Sequence, residues 1–479
     1  MLTYQDMIQE TNVAQFVERA INEHKSSDMY RTALTADNYD HKRNETIMSY
    51  VQTIFTLTGM PVQDFTAANN KICSNFFHRL NTQRNTYLLG NGVSFSDHVE
   101  DIDGVSVDTT KERLGNKFDS ALKKLGYYAL IHGIAFGFWN VEGLHIFKLT
   151  EFVPIWDEDT GALRAGIRFW RIDDKKPLFA VLYEEDGYTK YKSESGSSLN
   201  VVQPKKAYRI TVRHTDADGD EVIGEENYTS LPIIPMWGSD LHQSTLVGMQ
   251  EAIDSYDLIR SGFANDLTDC SQIYWIIGNA GGMSDAELAR FRDRLKINHI
   301  ALADDINSSV TPYTQDIPYG ARQAYLDGIR AGLYEDFGGL DVHTIAAGAT
   351  NDHIDAAYQP MDEEADDYEY QVTDFINNLL SLLGIEDTPI FKRNRISNEM
   401  EQVQMVMMEA EYLDDETVLR KLPNITVDEV SNILKRRDAD EIAGMGEVTD
   451  EEEPGTVGNG ENPVGSGEED QEGIPASNT

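Results

Sequence analysis

The region from residue 231 to residue 383 constrains the fold most, because long helical patterns in it enclose a shorter segment of mixed character. Apolar residues recur every three or four positions from Leu246 to Leu267, which predicts an amphipathic helix of about six turns. A second such pattern spans residues 321–337, and a third follows after residue 350. This order predicts helices that pack side by side around an insert.

The insert between the first two helices mixes strand-like and helical patterns. Ser284 and Glu287 have the spacing of a capping box, which predicts that a charged helix begins there. The insert contains two apolar runs and one charged helix, at residues 273–277, 300–302 and 284–295.

Polar and small residues in the first two helices lead to two expectations. Asp254, Asp257 and Arg260 fall on faces of the first helix other than its apolar face. Gly328 and Gly332 are four residues apart in the second, and together they form a ridge that a neighbouring helix can approach closely. Because each glycine costs a helix up to about 1 kcal/mol, such a close neighbour is expected.

The third helical pattern follows a segment, residues 338–350, that is too rich in glycine for a helix and too apolar for a simple linker. Asn351 or Asp352 suits the N-cap, and Pro360 predicts that the helix starts near it or kinks there. The pattern carries an acidic run that covers more than one face: Asp362, Glu363, Glu364, Asp366, Asp367 and Glu369. Such a run is most often a solvated surface.

The N-terminal half combines helices with a β-rich part. Helical spacing of apolar residues predicts helices in residues 3–24, 67–90 and 116–136. Residues 144–235 alternate apolar and polar side chains between turn sequences, which predicts a small antiparallel meander. The run from His214 to Glu221 is interpreted as a hairpin turn, because a calcium loop requires glycine where Glu221 stands.

The net charge of the chain limits the ways in which it can interact with nucleic acid. Its 479 residues, enough for several domains, include 40 Lys and Arg against 82 Asp and Glu, a net charge of −42. Coating a DNA duplex requires cations that neutralise phosphates, so that function is not expected. Two interpretations remain, namely that the acidity serves solubility or that it forms a surface past which DNA moves without sticking.

Several other classes of protein are not expected from the sequence. Cys73 and Cys270 form neither a disulfide framework nor a zinc motif, and no signal peptide or membrane-spanning apolar run is present. Phosphate-binding loops, nucleophile elbows and zinc-protease motifs are absent, so neither an enzyme nor a cofactor is predicted. One alternative is a metal-dependent hydrolase that uses Asp341, His343, Asp352, His353 and Asp355, although their spacing matches no ligand framework.

A small basic cluster lies on the charged helix of the insert. It comprises Arg290, Arg292, Arg294 and Lys296. Surface charge is one interpretation, and a docking site for an acidic partner or for DNA phosphates is the other.

Three stretches resemble the portal proteins of tailed bacteriophages. The segment AANNKICSNFFHRLNTQRNTYLLGNGVSF resembles the portal segment in which a helix beginning Asn-Asn-Lys-Ile leads to a Tyr-Leu-x-Gly-Asn turn and a strand. ALIHGIAFGFWNVEG followed by PIWDEDTGALRAGIRFWRI is similar to the portal wing, and IDSYDLIRSG resembles the start of the portal stem. Together they cover most of residues 45–385. One departure is that Asn351 to Ala357 replace the Ser-Gly-x-Ala-Leu-Lys pattern common where the crown helix begins.

The resemblance implies an α+β portal fold with long stem helices, a small antiparallel β wing, an α/β clip insert and a helical crown. Its implied divisions are an N-terminal helical segment (1–44), wing (45–235), first stem helix (236–267), clip (268–318), second stem helix (319–337), tunnel loop (338–351), crown (352–440) and disordered acidic tail (441–479). Stem packing is expected from Met249, Ile253, Tyr256, Ile259, Phe263, Gly328 and Gly332.

The resemblance also assigns surfaces. A DNA-facing tunnel loop is expected from Asp341, Val342, His343, Thr344, Ile345, Ala346 and Ala347. The acidic run from Asp362 to Glu369 is expected to line the channel or crown, and the basic cluster from Arg290 to Lys296 is expected to be the clip docking surface.

The function implied by the resemblance is that of a ring, usually of twelve subunits, at one capsid vertex. Double-stranded DNA passes through it in packaging and ejection without sequence-specific binding. The terminase large subunit docks first, and a head-completion or adaptor protein replaces it. Major capsid and scaffolding proteins are further expected partners, and the locations are the virion and, during assembly, the host cytoplasm. The alternative is a capsid-associated structural or scaffolding protein without a channel.

Overall fold

The computed structural model describes most of the chain. The described residues are 2–55, 59–64, 67–95, 99–102, 105–194, 198–215, 219–270, 274–278, 284, 286–287, 290, 309–313, 319–342, 351–395, 399–410, 412–422, 430, 433 and 436. Two compact units are separated at residue 398, Met1–Asn398 and Glu399–Thr479. Helices α11 (Glu399–Glu409) and α12 (Asp415–Lys421) belong to the second unit. All other elements belong to the first.

The N-terminal segment folds as several short helices rather than the one helix predicted for residues 3–24. Asn12 interrupts that pattern because its side chain accepts a hydrogen bond from the backbone of Gln15, at 3.3 Å, and so starts a new helix. The helices are α1 (Tyr4–Gln9), α2 (Val13–Ser26), α3 (Asp28–Asp40) and α4 (Glu45–Ser49).

The predicted antiparallel meander is confirmed. Its five strands are β8 (Phe152–Trp156), β9 (Leu163–Trp170), β10 (Leu178–Glu184), β11 (Gly187–Ser193) and β12 (Asn200–Lys206), each paired with its neighbour in sequence. Apolar residues of one sheet face, including Ile167 and Leu182, pack with Phe16 and Ile21 of α2. Val181 and Tyr183 on the opposite face are buried as well, so the central part of the sheet is covered on both sides.

Two more antiparallel pairings complete this β-rich part. Strands β15 (Ile233–Trp237), β6 (Ile134–Asn140) and β7 (Gly143–Lys148) form a three-stranded sheet, and β13 (Arg209–Thr215) pairs with β14 (Gly219–Glu226). The second pairing confirms a hairpin across residues 216–218, which lie outside the described residues.

Helix α7 (Phe118–His132) ends earlier than residue 136, where the sequence pattern placed its end. Gly133 has a φ of +85°, a left-handed conformation that terminates the helix and starts β6. A Cβ atom at this position would lie 2.7 Å from the backbone carbon of Gln243, so only glycine fits. The apolar run 134–136 is consequently strand, and periodicity alone could not separate it from the helix.

The remaining small elements connect the larger ones. They are β1 (Thr53–Phe55), β2 (Pro61–Gln63), α5 (Phe76–Leu89), β3 (Val93–Phe95), β4 (Val99–Ile102), β5 (Val105–Asp108) and α6 (Thr109–Leu114). Within the insert, β16 (Tyr274–Gly278) pairs antiparallel with β17 (Ser309–Tyr313). Strand β18 (Pro389–Phe391) pairs with β3, nearly 300 residues away in sequence.

Three long helices form the framework of the first unit. They are α8 (Gln250–Cys270), α9 (Tyr319–Asp336) and α10 (Asn351–Leu383). Leu246 and Met249 precede α8, although both are buried. Helix α10 begins well before Pro360 and continues through it, so the expectation of a start near the proline is wrong.

A ladder of hydrogen bonds fixes an extended segment along α8. The backbone N–H groups of alternate residues donate to side chains one helical turn apart on α8, as three rungs: Ser74 to Asp257 Oδ1 at 2.8 Å, Ile72 to Ser261 Oγ at 3.0 Å and Asn70 to Asn265 Oδ1 at 2.6 Å. Two residues of extended chain advance about 6.6 Å and four of helix about 6.0 Å, so the rungs stay in step.

This ladder corrects two expectations. Asp257, which the sequence places on a face other than the apolar one, is fully buried, and it also accepts a hydrogen bond from Asn44 Nδ2 at 3.0 Å. Burial raises the pKa of Asp257, and the hydrogen bonds from Asn44 and Ser74 oppose that rise. In addition, α5 begins at Phe76, so the Asn-Asn-Lys-Ile segment is the extended partner of α8 instead of the start of a helix.

We expect Asp257→Ala to destabilise the first unit by about 1–3 kcal/mol, because it leaves the Ser74 N–H and the Asn44 amide buried without an acceptor. Urea unfolding monitored by circular dichroism measures the effect. Glu251→Ala, at an exposed position of the same helix, is the control and should change stability by less than about 0.5 kcal/mol. Equal stabilities of the two variants would contradict the structural role of the ladder.

Candidate functional site

Helices α8 and α9 pack against each other through aromatic and polar contacts. Phe263 of α8 contacts Tyr319 of α9 with ring centroids 5.6 Å apart, and Ser255 Oγ lies 3.2 Å from the Tyr325 hydroxyl. Arg322 forms an ion pair with Asp266. Of the residues predicted for stem packing, Met249 and Ile253 are buried in the core beneath this pair, and the Tyr256 ring contacts Phe76 at 5.0 Å.

The glycine ridge of α9 faces away from this contact. A Cβ atom at Gly328 or Gly332 would meet no atom within 4 Å. The same side of the helix exposes three further small residues, Ala321, Ala324 and Ala331. The close neighbour expected from the sequence is therefore not found among the described residues of this chain.

The segment predicted as a tunnel loop begins as a helix cap. Gly338, at φ +64°, donates its N–H to the Glu335 carbonyl, and Gly339 donates to the Tyr334 carbonyl at 2.7 Å, which is a Schellman motif. Arg330 Nη2 lies 2.9 Å from both carboxylate oxygens of Asp341. Val342 is half-exposed, and His343, Thr344, Ile345, Ala346 and Ala347 lie outside the described residues.

Three of the six residues in the acidic run of α10 pair with arginines that follow β18. Arg393 Nη1 binds Asp362 at 3.0 Å and Arg393 Nη2 binds Glu369 at 3.0 Å, and this arginine also pairs with Asp366. Arg395 pairs with Asp362 and binds Asp355 at 3.1 Å. These ion pairs hold the segment after β18 against the helix.

Tyr87 of α5 joins this network. Its hydroxyl donates to Asp362 and accepts from Arg395 Nε at 2.8 Å. Burial and the hydrogen bond to Asp362 raise the pKa of Tyr87 to about 12. Burial alone would raise the pKa of Asp362, but hydrogen bonds from Tyr87, Arg395 and Arg393 outweigh it and hold the pKa below its ordinary value. Asp362 is therefore charged at neutral pH.

The other acidic residues of the run have different partners. Glu364 forms an ion pair with Arg84 of α5 at 2.9 Å, and Asp367 accepts a hydrogen bond from the backbone of Asp240 at 3.1 Å. Glu363 lies 3.4 Å from the Gln359 amide nitrogen. Much of the negative charge of the run thus holds the fold together, and the assignment of these residues to a channel surface stays a prediction.

The basic cluster of the insert is only partly described. Arg290 is exposed on a short helical piece, whereas Arg292, Arg294 and Lys296 lie outside the described residues. Glu287 accepts hydrogen bonds from the Ser284 backbone N–H at 2.9 Å and hydroxyl at 2.8 Å. The Glu287 half of the predicted capping box is therefore present.

The residues considered for a metal site do not gather into one in the described part of the chain. Asp341 and Asp355 each bind an arginine, and His343 lies outside that part. Among the residues that were placed, no group of three His, Cys, Asp or Glu side chains is arranged to hold a metal ion. None of the described helices is long and apolar enough to cross a membrane.

Comparison with known proteins identifies the family of the chain. The model of the phage portal protein family of the SPP1 Gp6-like type matches residues 20–443. This chain belongs to that portal family. Its α+β architecture, with three long helices beside antiparallel sheets, is the fold of a family member.

Two curated portal proteins are similar to this portal protein along most of their length. That of Clostridium phage phiCD119 is 25% identical over 405 residues, which cover 77% of this chain and 84% of the relative. That of Bacillus phage SPP1 is 23% identical over 424 residues, which cover 82% of this chain and 79% of the relative. The resemblance noted in the three sequence stretches is therefore confirmed at the level of the family.

Sequence reasoning missed the arginines that bind the acidic helix of this portal protein. Arg84, Arg393 and Arg395 are far from α10 in sequence or follow it after a turn, and no periodic pattern marks them. The sequence offered one indication, which is that arginines are few in so acidic a chain. Each arginine near an apolar segment is therefore a candidate partner for a carboxylate.

We expect Arg395→Ala to loosen the segment after β18, because Asp355, Asp362 and Tyr87 all lose the same partner. Hydrogen exchange of the β18 amide that is hydrogen-bonded to β3 should become about 5 times faster, which corresponds to about 1 kcal/mol for a partly exposed ion pair. Arg19→Ala, which removes an exposed pair with Glu10 of the N-terminal helices, is the control. An unchanged exchange rate in Arg395→Ala would show that the arginine does not hold this segment.

Proposed function

We propose that this portal protein forms a cyclic ring at one capsid vertex and is the conduit for DNA in packaging and ejection. Membership of the portal family carries the proposal. The ring, usually of twelve subunits in the family, docks the terminase large subunit and afterwards a head-completion or adaptor protein. It also contacts major capsid and scaffolding proteins, in the virion and earlier in the host cytoplasm.

The assignment of parts follows the described elements. In this proposal the β sheets between residues 45 and 235 are the wing, α8 and α9 are the stem, β16 and β17 belong to the clip, and α10 begins the crown. Residues 338–351 are the tunnel loop, with Asp341 to Ala347 facing the DNA. The docking surface of the clip is formed by Arg290, Arg292, Arg294 and Lys296.

The open face of α9 supports ring formation. A ring needs two different surfaces of each subunit to meet, so one helix face must remain free of contacts within the chain. The face of Gly328 and Gly332 is free in this way, and its small residues let a helix of the next subunit approach closely. Such a contact would also compensate for the cost of two glycines in a helix.

The net charge supports a role as a conduit rather than a binder. Duplex DNA carries about one negative charge per 1.7 Å of axis, so an acidic lining repels it and lets it slide. With the chain at −42, the repulsion survives even though three arginines neutralise part of α10. Glu363 is a candidate for that lining, because its described contact is with the Gln359 amide rather than with a cation.

We expect Gly328→Leu to reduce ring assembly while leaving the monomer folded, since the side chain enters open space within the chain but blocks a neighbouring subunit. Light scattering after size exclusion measures the ring fraction, and circular dichroism checks the fold. Gly328→Ala is the matched control, because it also removes the glycine but keeps the face small. Rings of Gly328→Leu at the wild-type yield would exclude this face from the interface.

We expect the double substitution Thr344→Asp and Ile345→Asp to impair DNA packaging more than ring assembly, because it alters the proposed DNA-facing loop and not the subunit contacts. DNA protected from nuclease in procapsids measures packaging, and Thr344→Ser with Ile345→Val is the conservative control. Normal packaging by the Asp variant would contradict the role of the loop.

Electron microscopy of the purified protein tests the proposal as a whole. Class averages down the ring axis should show a central opening wide enough for duplex DNA. Rings without such an opening would favour the scaffolding alternative, and monomers under all salt conditions would count against a portal ring.

A further inference from the structure

The cap at the C-terminal end of α9 does not satisfy every backbone carbonyl there. The Schellman motif uses the carbonyls of Tyr334 and Glu335, which accept from Gly339 and Gly338. The carbonyl of Phe337, which follows the last helical residue, accepts a hydrogen bond from Arg84 Nη2. A cation at this end of a helix is also favoured by the helix dipole.

Arg84 is unusual because it is a buried arginine shared by three elements. Only 9% of its side chain is exposed, and it extends from α5 to Phe337 at the end of α9 and to Glu364 of α10, at 2.9 Å. Its guanidinium carbon lies 4.1 Å from the centroid of the Phe337 ring. Burial lowers the pKa of Arg84, and Glu364 and Asp367 raise it again, so the cation is retained.

Neighbouring contacts fix the residues that follow the cap. Gln83 Nε2 donates to the Leu340 carbonyl at 2.9 Å, and Leu340 is buried against Tyr87 and Tyr358. A Cβ atom at Gly339 would lie 2.7 Å from Leu80 Cδ2, so the chain passes close to α5. Residues 337–341 are therefore held from several sides, and their path is set before the chain reaches residue 342.

We propose that Arg84 is a positioning residue that sets the direction in which the chain leaves α9 relative to α10. A planar guanidinium that binds a backbone carbonyl on one element and a carboxylate on another fixes both distance and angle, which a hydrophobic contact does not. Any effect of this direction on DNA passage rests on the proposed function, because the proposed tunnel loop continues from residue 341. The direction in which the chain leaves α9 can be measured in the monomer.

A distance measurement within one chain tests the positioning directly. Nitroxide labels at Val342→Cys and Tyr370→Cys, both exposed positions, report the exit relative to α10 in a background where Cys73 and Cys270 are replaced by serine. The unaltered Arg84 should give one narrow distance distribution by pulsed electron paramagnetic resonance. Arg84→Ala should make it about twofold broader, because alternative exits become populated.

A matched control separates positioning from general destabilisation. Leu182→Ala removes core volume in the β sheet that packs on α2, away from Arg84, and lowers the melting temperature. It should leave the distance distribution narrow. An equally broad distribution in Leu182→Ala, or an unchanged one in Arg84→Ala, would overturn the proposal.

Conservative variants keep the test decisive if Arg84→Ala does not fold. Arg84→Lys keeps the charge but loses the planar guanidinium that fixes the angle between the two contacts, so its distribution should be narrower than that of Arg84→Ala and broader than the wild type. Glu364→Gln keeps the Phe337 contact and should broaden the distribution less than Arg84→Ala. Wild-type widths in both variants would overturn the proposal. DNA packaging by assembled rings is measured in a separate experiment. If wild-type rings package no DNA, the proposed function is contradicted but the positioning role of Arg84 is not.

Discussion

The hydrogen-bond ladder between residues 70–74 and α8 is the constraint on which the packing of α8 and α9 depends. Asp257, Ser261 and Asn265 are buried polar side chains, and each is stable there because a backbone N–H of the extended segment satisfies it. The three hydrogen bonds are spaced by four residues along α8 and by two residues along the extended segment. If either partner shifted along its axis, several buried polar groups would lose their hydrogen bonds. The ladder therefore fixes α8 along its axis, and α9 packs on α8.

Ion pairs between arginines and the acidic run of α10 are the second set of interactions that fixes the structure. In a chain with 82 acidic and 40 basic residues, repulsion within the folded state is expected to be destabilising, and the structure reduces it by concentrating arginines at one helix. Arg393 and Arg395 bind one part of the acidic run of α10, and Arg84 binds another. The same carboxylates that the sequence suggests for a surface therefore join α10 to α5 and to β18.

Some parts of the molecule are fixed by contacts within the chain, whereas others are left open for contacts with another molecule. The helix end at Phe337 and the residues up to Asp341 are tied to α5 and to Arg330, whereas the ridge of Gly328 and Gly332 meets no other described residue of the chain. The ring proposed for this protein requires an unoccupied face of each subunit for the next copy, in addition to a rigid subunit core.

The sequence by itself determined the order of the long helices, the antiparallel meander and the family. Helical and strand periodicity and turn residues are local features, so they can be recognised without knowing the tertiary contacts. It placed the ends of α7 and α10 less well, since the conformation of Gly133 is required by the nearby backbone of Gln243, and α10 continues through Pro360 despite the proline. Only the tertiary structure decided that Asp257 is buried and that Arg84, Arg393 and Arg395 are partners of the acidic helix. The physical reason is that such pairings join residues some 30 to 300 positions apart, and the energy of a buried polar group depends on partners that no local pattern encodes.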